Sequence, residues 1–248
     1  MREKKRNIEV CGSPQLFELY RYSDRIVVVI DILRASSSMC VAFDHGAEKI
    51  IPLASVEETR KYKEKGFIIA AERDGEMVPG FDFGNSPFSF MGEQVRGKSI
   101  ALSTTNGTRA IHIAKKAFQV VIGSFLNLDA LCEWLCKQEQ DVLCLCAGWK
   151  NRFNLEDTLF AGAVVHLLKN SAMFSTDCDS AIAAEHLYKA AKGDLFKFLE
   201  NSSHRKRLKR LNIERDIEYC LTPNQTRVIP VLQGEMLVKL EEIFSGTP

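Results

Sequence analysis

Apolar residues fall along this chain in short uninterrupted runs, separated by longer segments in which they recur every three or four positions. The short runs, rich in Val and Ile, predict strands at 25–30, 49–53, 67–71, 98–102, 119–122 and 141–145. Most are apolar at nearly every position, as in strands covered on both faces. The segments of helical period lie at 37–44, 56–65, 108–116, 128–137, 156–169 and 180–191. Strand followed by helix recurs, which predicts an α/β fold: a layered sheet with substantial parallel character and flanking helices. Neither a repeat, a low-complexity tract nor a clear linker divides the chain. Residues 1–248 therefore read as one α/β domain, with the pattern weakening over 193–248.

Residues 77–93 break the alternation. Pro79, Gly80, Gly84, Pro87 and Gly92 interrupt regular structure, while Phe81, Phe83, Phe88 and Phe90 supply burial, as in an ordered loop anchored by rings. Further on, His204 to Arg210 form a basic run that reads as a solvated helix face rather than a nucleic-acid segment.

Composition narrows the classes. Lys and Arg number 33 against 32 Asp and Glu, a net charge of +1, so no global field favours nucleic acid or an anionic membrane. The 46% hydrophobic content is that of a globular protein. No apolar run approaches the ~18 to 20 residues that cross a bilayer. The 8 cysteines include no Cys-x-x-Cys pair, and several sit where small buried hydrophobes belong. Together these features predict reduced thiols in a cytoplasmic protein with no membrane or nucleic-acid partner. They are compatible with a homo-oligomer as well as a monomer.

Polar chemistry gathers where the predicted strands end, and open parallel sheets bind ligands outside those carboxyl ends. After 25–30 comes Asp31-Ile-Leu-Arg34-Ala-Ser36-Ser37-Ser38, where a serine could cap the next helix beside an arginine fork. After 67–71 come Glu72 and Arg73, and the aromatic loop carries Asp82 and Asn85. After 98–102 the segment Ser103-Thr104-Thr105-Asn106-Gly107-Thr108-Arg109 offers amides and hydroxyls to an anion, without the lysine of a nucleotide-binding P-loop. After 141–145 lie Cys146, Arg152, Glu156 and Asp157. Each cluster alone has a structural reading, as a cap, a turn or a dipole-favoured acid. Four on one predicted edge favour a shared rim that holds an anion and a metal.

The motifs Asp31-x-x-Arg34-Ala-Ser-Ser37, Gly80-Phe-Asp-Phe-Gly-Asn-Ser-Pro87, Thr104-Thr-Asn-Gly-Thr-Arg109 and Cys146-Ala-Gly148 with Leu155-Glu-Asp-Thr158 resemble the 2-phosphosulfolactate phosphatase family. Their order is the family's, and the resemblance spans about 31–168. It implies a Mg²⁺-dependent phosphoric monoester hydrolase that releases sulfolactate and phosphate on the route to coenzyme M. On these residues, Asp31, Glu72, Asp82, Glu156 and Asp157 are the expected metal carboxylates, with Asp31, Arg34, Glu156 and Asp157 acting in catalysis. Ser36, Ser37, Arg73, Asn85, Thr104, Thr105, Asn106, Gly107, Thr108, Arg109 and Arg152 are the expected binders of a small phosphorylated, sulfonated acid. Activated water is the favoured nucleophile. Two covalent routes stay open: Asp31 itself as nucleophile, although Leu33 stands where an Asp-x-Asp phosphatase has its second aspartate, and Cys146 with Arg152, which show the Cys-x₅-Arg spacing of thiolate phosphatases. A non-catalytic binder of small anions would use the same groups. A nicotinamide oxidoreductase ranks low, since no Gly-x-Gly-x-x-Gly follows the first strong strand.

Overall fold

The computed structural model describes residues 5–211 and 213–240. Its strands are β1 (Arg6–Cys11), β2 (Ile26–Ile30), β3 (Lys49–Pro52), β4 (Ile68–Arg73), β5 (Glu76–Met77), β6 (Ser99–Ser103), β7 (Gln119–Gly123), β8 (Val142–Cys146), β9 (Phe174–Ser175), β10 (Pro230–Gln233) and β11 (Met236–Lys239). The helices are α1 (Ala35–Asp44), α2 (Val56–Arg60), α3 (Gly107–Ala114), α4 (Leu128–Cys136), α5 (Leu155–Asn170), α6 (Asp179–Ala191), α7 (Leu195–Phe198), α8 (Ser203–Leu208) and α9 (Glu214–Cys220). The α/β layering and the largely parallel sheet match the sequence pattern, and each predicted strand and helix has its counterpart within a few residues.

Strand order is β5-β4-β6-β3-β11-β10-β7-β2-β8-β1-β9. One parallel block is β4-β6-β3 and the other is β7-β2-β8-β1-β9. The hairpin β10–β11 splices them, antiparallel to β7 on one side and to β3 on the other. The weakly patterned C-terminal part thus supplies the middle of the sheet.

Core packing shows how distant strands come together. Val27 and Val29 of β2 share one buried cluster with Ile100 and Leu102 of β6, Met39 and Phe43 of α1, and Ala110, Ile111 and Ala114 of α3. The sheet therefore curls around α1 and α3, bringing the ends of the two blocks toward each other. The opposite face of β2 and β8, through Val28, Ile30, Cys144 and Cys146, packs on α4, α5 and α6. The aromatic loop is pinned as its composition predicts: Phe81 and Phe90 are buried, and Phe83 meets Phe90 edge to face at 5.4 Å.

Candidate active site

The curl opens a cavity of about 210 Å³ at the carboxyl ends of β2 and β4, below the size typical of drug-sized pockets. Asp31, Arg34, Glu72 and Asn106, from three of the clusters after predicted strands, line it with Asn85 of the aromatic loop. Residues from the C-terminal third complete it: His204, Lys206, Arg207, Leu208 and Arg210, with Trp149 from the loop after β8.

Local bonding explains how Asp31 is held. Its amide donates to Ser36 Oγ at 2.7 Å, and its carbonyl accepts from the Ser36 amide at 2.9 Å. The Ser37 hydroxyl donates to the Ile32 carbonyl at 3.0 Å. These serines therefore tie the loop rather than cap α1, whose N-cap position is Arg34 with no side-chain cap bond. The carboxylate of Asp31 instead accepts from the Ala35 amide. Gly107 presses on the same spot: a Cβ there would lie 2.8 Å from Asp31 Oδ2 and 2.7 Å from the Ala35 Cβ. Only a residue without a side chain lets α3 approach Asp31 so closely.

Negative charge is concentrated here. Burial first, then the Asp157 and Glu72 carboxylates, push the Asp31 carboxyl well above its ordinary range, against the Ala35 hydrogen bond. Asp157 is raised to about 7 by burial and by Glu156. Its two oxygens each accept a backbone amide, Ile32 at 2.9 Å and Gly148 at 3.0 Å, so it braces the loops after β2 and β8. Glu156 is fully buried; Oε1 pairs with His204 Nδ1, and Oε2 has no partner. Glu72 receives the Thr105 amide and hydroxyl, each at 3.3 Å.

Other expected site residues lie elsewhere. Asp82 bonds Lys63 at 3.0 Å and the Ile69 amide at 3.0 Å, so it fastens the aromatic loop to β4 and does not join the acidic group. Arg73 donates to Ser103 Oγ at 2.9 Å and, with Arg109, Thr104, Thr105 and Thr108, lines a second cavity of about 380 Å³. Thr104 and Thr108 are also tied to each other, amide to hydroxyl in both directions. Arg152 is exposed and pairs through its backbone with Trp149. Arg34 does reach the main cavity, but its guanidinium is bound by Asp216 and by the Gly75 carbonyl. Asp31, Glu72, Asn85 and Asn106 are thus brought together along the main cavity, whereas Arg73, Arg109, Arg152, Glu156 and Asp157 are not among the residues that line it.

The basic run is not the purely solvated helix face that its charges suggest, because five of its residues line the cavity. It is a strap whose buried stripe is His204 and Leu208, four positions apart on one helix face. That spacing was the available signal. Trp149 sits beside it, its ring 5.7 Å from the His204 ring and 4.4 Å from the Arg207 guanidinium carbon.

Cys146 has the wrong environment for a thiolate. It is fully buried, and burial, then Asp157, push its thiol well above the ordinary value, the reverse of activation. All 8 cysteines are free.

Among the described residues, no three His, Cys, Asp or Glu side chains are grouped as a ready-made metal centre. Magnesium asks for less, since one or two carboxylates with water complete its shell. Asp31 and Glu72 face one cavity, and the burial and neighbouring carboxylates that disfavour a lone negative charge on Asp31 are what a bound cation would offset. The donor set fits Mg²⁺. Among the described residues no helix is long and apolar enough to cross a membrane.

The family model for 2-phosphosulpholactate phosphatase matches residues 11–235. A protein of Thermotoga petrophila described as a probable 2-phosphosulfolactate phosphatase is 40% identical over 217 residues, covering 88% of this chain and 93% of its own. One from Caldanaerobacter subterraneus with the same description is 36% identical over 215 residues, 85% and 89% of the two chains. Another, from Carboxydothermus hydrogenoformans, is 35% identical over 242 residues, 96% and 99% of the two.

Proposed function

This chain belongs to the 2-phosphosulpholactate phosphatase family, and from that we propose that it hydrolyses 2-phosphosulfolactate to sulfolactate and phosphate in a Mg²⁺-dependent reaction at the Asp31 cavity. The observation that carries the reading is the juxtaposition, in one small cavity, of crowded carboxylates and a wall of cations. A phosphate monoester needs both, because phosphoryl transfer is governed by positioning and charge stabilisation.

Asp31 and Glu72 would hold the Mg²⁺. When bound, the ion would offset charge on the phosphoryl oxygens. Asn106 Oδ1 accepts from the Lys150 amide at 3.1 Å, which leaves its NH₂ group as a donor toward the phosphoryl group. Asn85, with a buried Oδ1 that lacks a partner, supplies a second amide on the cavity wall. Water attacks phosphorus in line, the bond from phosphorus to the substrate's C2 oxygen breaks, a carboxylate of the acidic group takes the water's proton, and that proton passes on to the departing C2 oxygen, which becomes the hydroxyl of sulfolactate. Asp157 acts at a distance by fixing the two loops that present Asp31 and Trp149. A Cys146 nucleophile is disfavoured by the burial of its sulfur.

The test is phosphate release from 2-phosphosulfolactate, phospholactate and phosphoglycolate with Mg²⁺. Release that favours the sulfonated compound supports the substrate. Binding of these acids with no phosphate release from any of them would make the chain a small-anion-binding protein.

A further inference from the structure

The basic strap is the candidate that carries most. We infer that Lys206, Arg207 and Arg210 select substrate by gripping its non-phosphate acid groups, so the enzyme discriminates in favour of short phosphorylated acids that bear two further anionic groups. This deepens the phosphatase reading and rests on it.

Charge gives the first reason. The cavity's other wall carries Asp31, Glu72 and Asp74, which repel a carboxylate or sulfonate. Arg34 is neutralised by Asp216. Among the described residues that line the cavity, Lys206, Arg207 and Arg210 form no salt bridge; Glu156 acts on Arg207 only through space, so these three are the cations that can receive extra negative charge.

The second reason is an unmet hydrogen-bonding demand. Nε and Nη2 of Arg207 are buried without a partner, and its remaining nitrogen reaches only Ser203 Oγ at 3.3 Å. Buried donors are seldom left unpaired, and a guanidinium with two open N–H edges presents the fork that binds a carboxylate or sulfonate. The Trp149 ring at 4.4 Å holds that guanidinium in place from its face, leaving the edge for the ligand.

The third reason is that the strap is docked at several points. His204 pairs with Glu156 at one end. Leu208 and Leu211 close over Gly75, where a Cβ would lie 3.1 Å and 2.6 Å from them. Ser202 caps the strap helix through the Arg205 amide at 3.2 Å. A basic segment that served only solubility would need none of these anchors.

Arg207→Ala, Arg207→Lys and Lys206→Ala are compared with the unaltered protein on 2-phosphosulfolactate, phospholactate and methyl phosphate, which carry two, one and no extra acid groups. For Arg207→Ala, the preference in kcat/KM for 2-phosphosulfolactate over methyl phosphate should fall about tenfold or more, through KM, the loss of one charged hydrogen-bonded contact. Phospholactate should show a smaller fall, and Arg207→Lys should restore part of the preference. Equal losses on all three substrates, or unchanged preference, would overturn the inference while leaving a working phosphatase. Absence of turnover by the unaltered protein on every substrate would instead defeat the phosphatase reading. Should Arg207→Ala not fold, calorimetric binding of sulfolactate against lactate to the unaltered protein and to Lys206→Ala decides the matter. Tighter sulfolactate binding that Lys206→Ala weakens is expected, and equal affinity for both acids would refute the assignment.

Discussion

Gly107→Ala tests whether the close approach of α3 to Asp31 sets catalytic geometry. The new methyl would stand 2.8 Å from Asp31 Oδ2, 2.7 Å from the Ala35 Cβ and 3.3 Å from Thr104 Oγ1. Ordinary contact lies near 3.4 Å, so the Asp31 carboxylate or α3 itself must move by ~0.6 Å. Overpacking of this kind costs about 1 to 3 kcal/mol of stability, and in a chain of this size each 1 kcal/mol lowers Tm by roughly 2 to 4 °C. Displacements approaching 1 Å at a reacting centre cost up to about 10²-fold in rate, so kcat should fall roughly 10- to 100-fold. Gly193→Ala is the control, because a Cβ there meets nothing. Phosphate release and thermal unfolding are measured side by side on both variants. A Gly107→Ala protein with near-normal kcat would refute the claim that Asp31 must sit where the structure holds it, whatever its Tm.

Other outcomes follow from the same geometry. Cys146→Ser should keep more than about half of the activity, since a fully buried, proton-retaining thiol is no nucleophile; phosphate trapped on Cys146 after rapid quench would reverse this. Glu156→Gln weakens the anchor of the strap at His204, so KM for 2-phosphosulfolactate should rise about tenfold with little change for methyl phosphate, checked by steady-state kinetics. Burial alone would raise the Glu185 carboxyl, but hydrogen bonds from Lys169, Lys189 and His166 hold it down to about 2. A folded value below the unfolded one means that this stability is full above pH ~4.5 and is lost as pH falls toward 2. Because both lysines are partly exposed, the contribution is discounted to about 1 to 2 kcal/mol, and Glu185→Gln should flatten the acid limb of a denaturation profile by that amount.

Much of the fold was legible because its central strands are apolar on both faces, and runs such as Ile26–Ile30 and Val142–Cys146 have no other stable home. Strand β1 was missed because charged and apolar residues alternate in Arg6–Cys11 beside a basic head. The splice β10–β11 was missed because two four-residue strands carry little periodic signal; the two residues between them, Gly234 and Glu235, mark the turn only in hindsight. Along the cavity, Asp31, Glu72 and Asn106 were readable from their places at strand ends, and Asn85 from its place in the aromatic loop. The arginines were not, since strand-end position does not say which way a long side chain turns: Arg73 leans to Ser103, and Arg34 is bound by Asp216, 182 residues away in sequence. The strap was hidden for a related reason. Its charges suggested solvent, while the small buried stripe of His204 and Leu208 determined where it docks.

The account turns on Asp31 as a carboxylate that works with a divalent cation on a phosphate monoester. Phosphate release from 2-phosphosulfolactate, followed across a Mg²⁺ titration and with chelator for the unaltered protein and for Asp31→Asn, puts this most directly. The unaltered protein should be active with Mg²⁺ and silent with chelator, and a folded Asp31→Asn should be slower by about 10²-fold or more at every Mg²⁺ concentration. Full activity in chelator, or an Asp31→Asn protein that turns over at the normal rate, would contradict it.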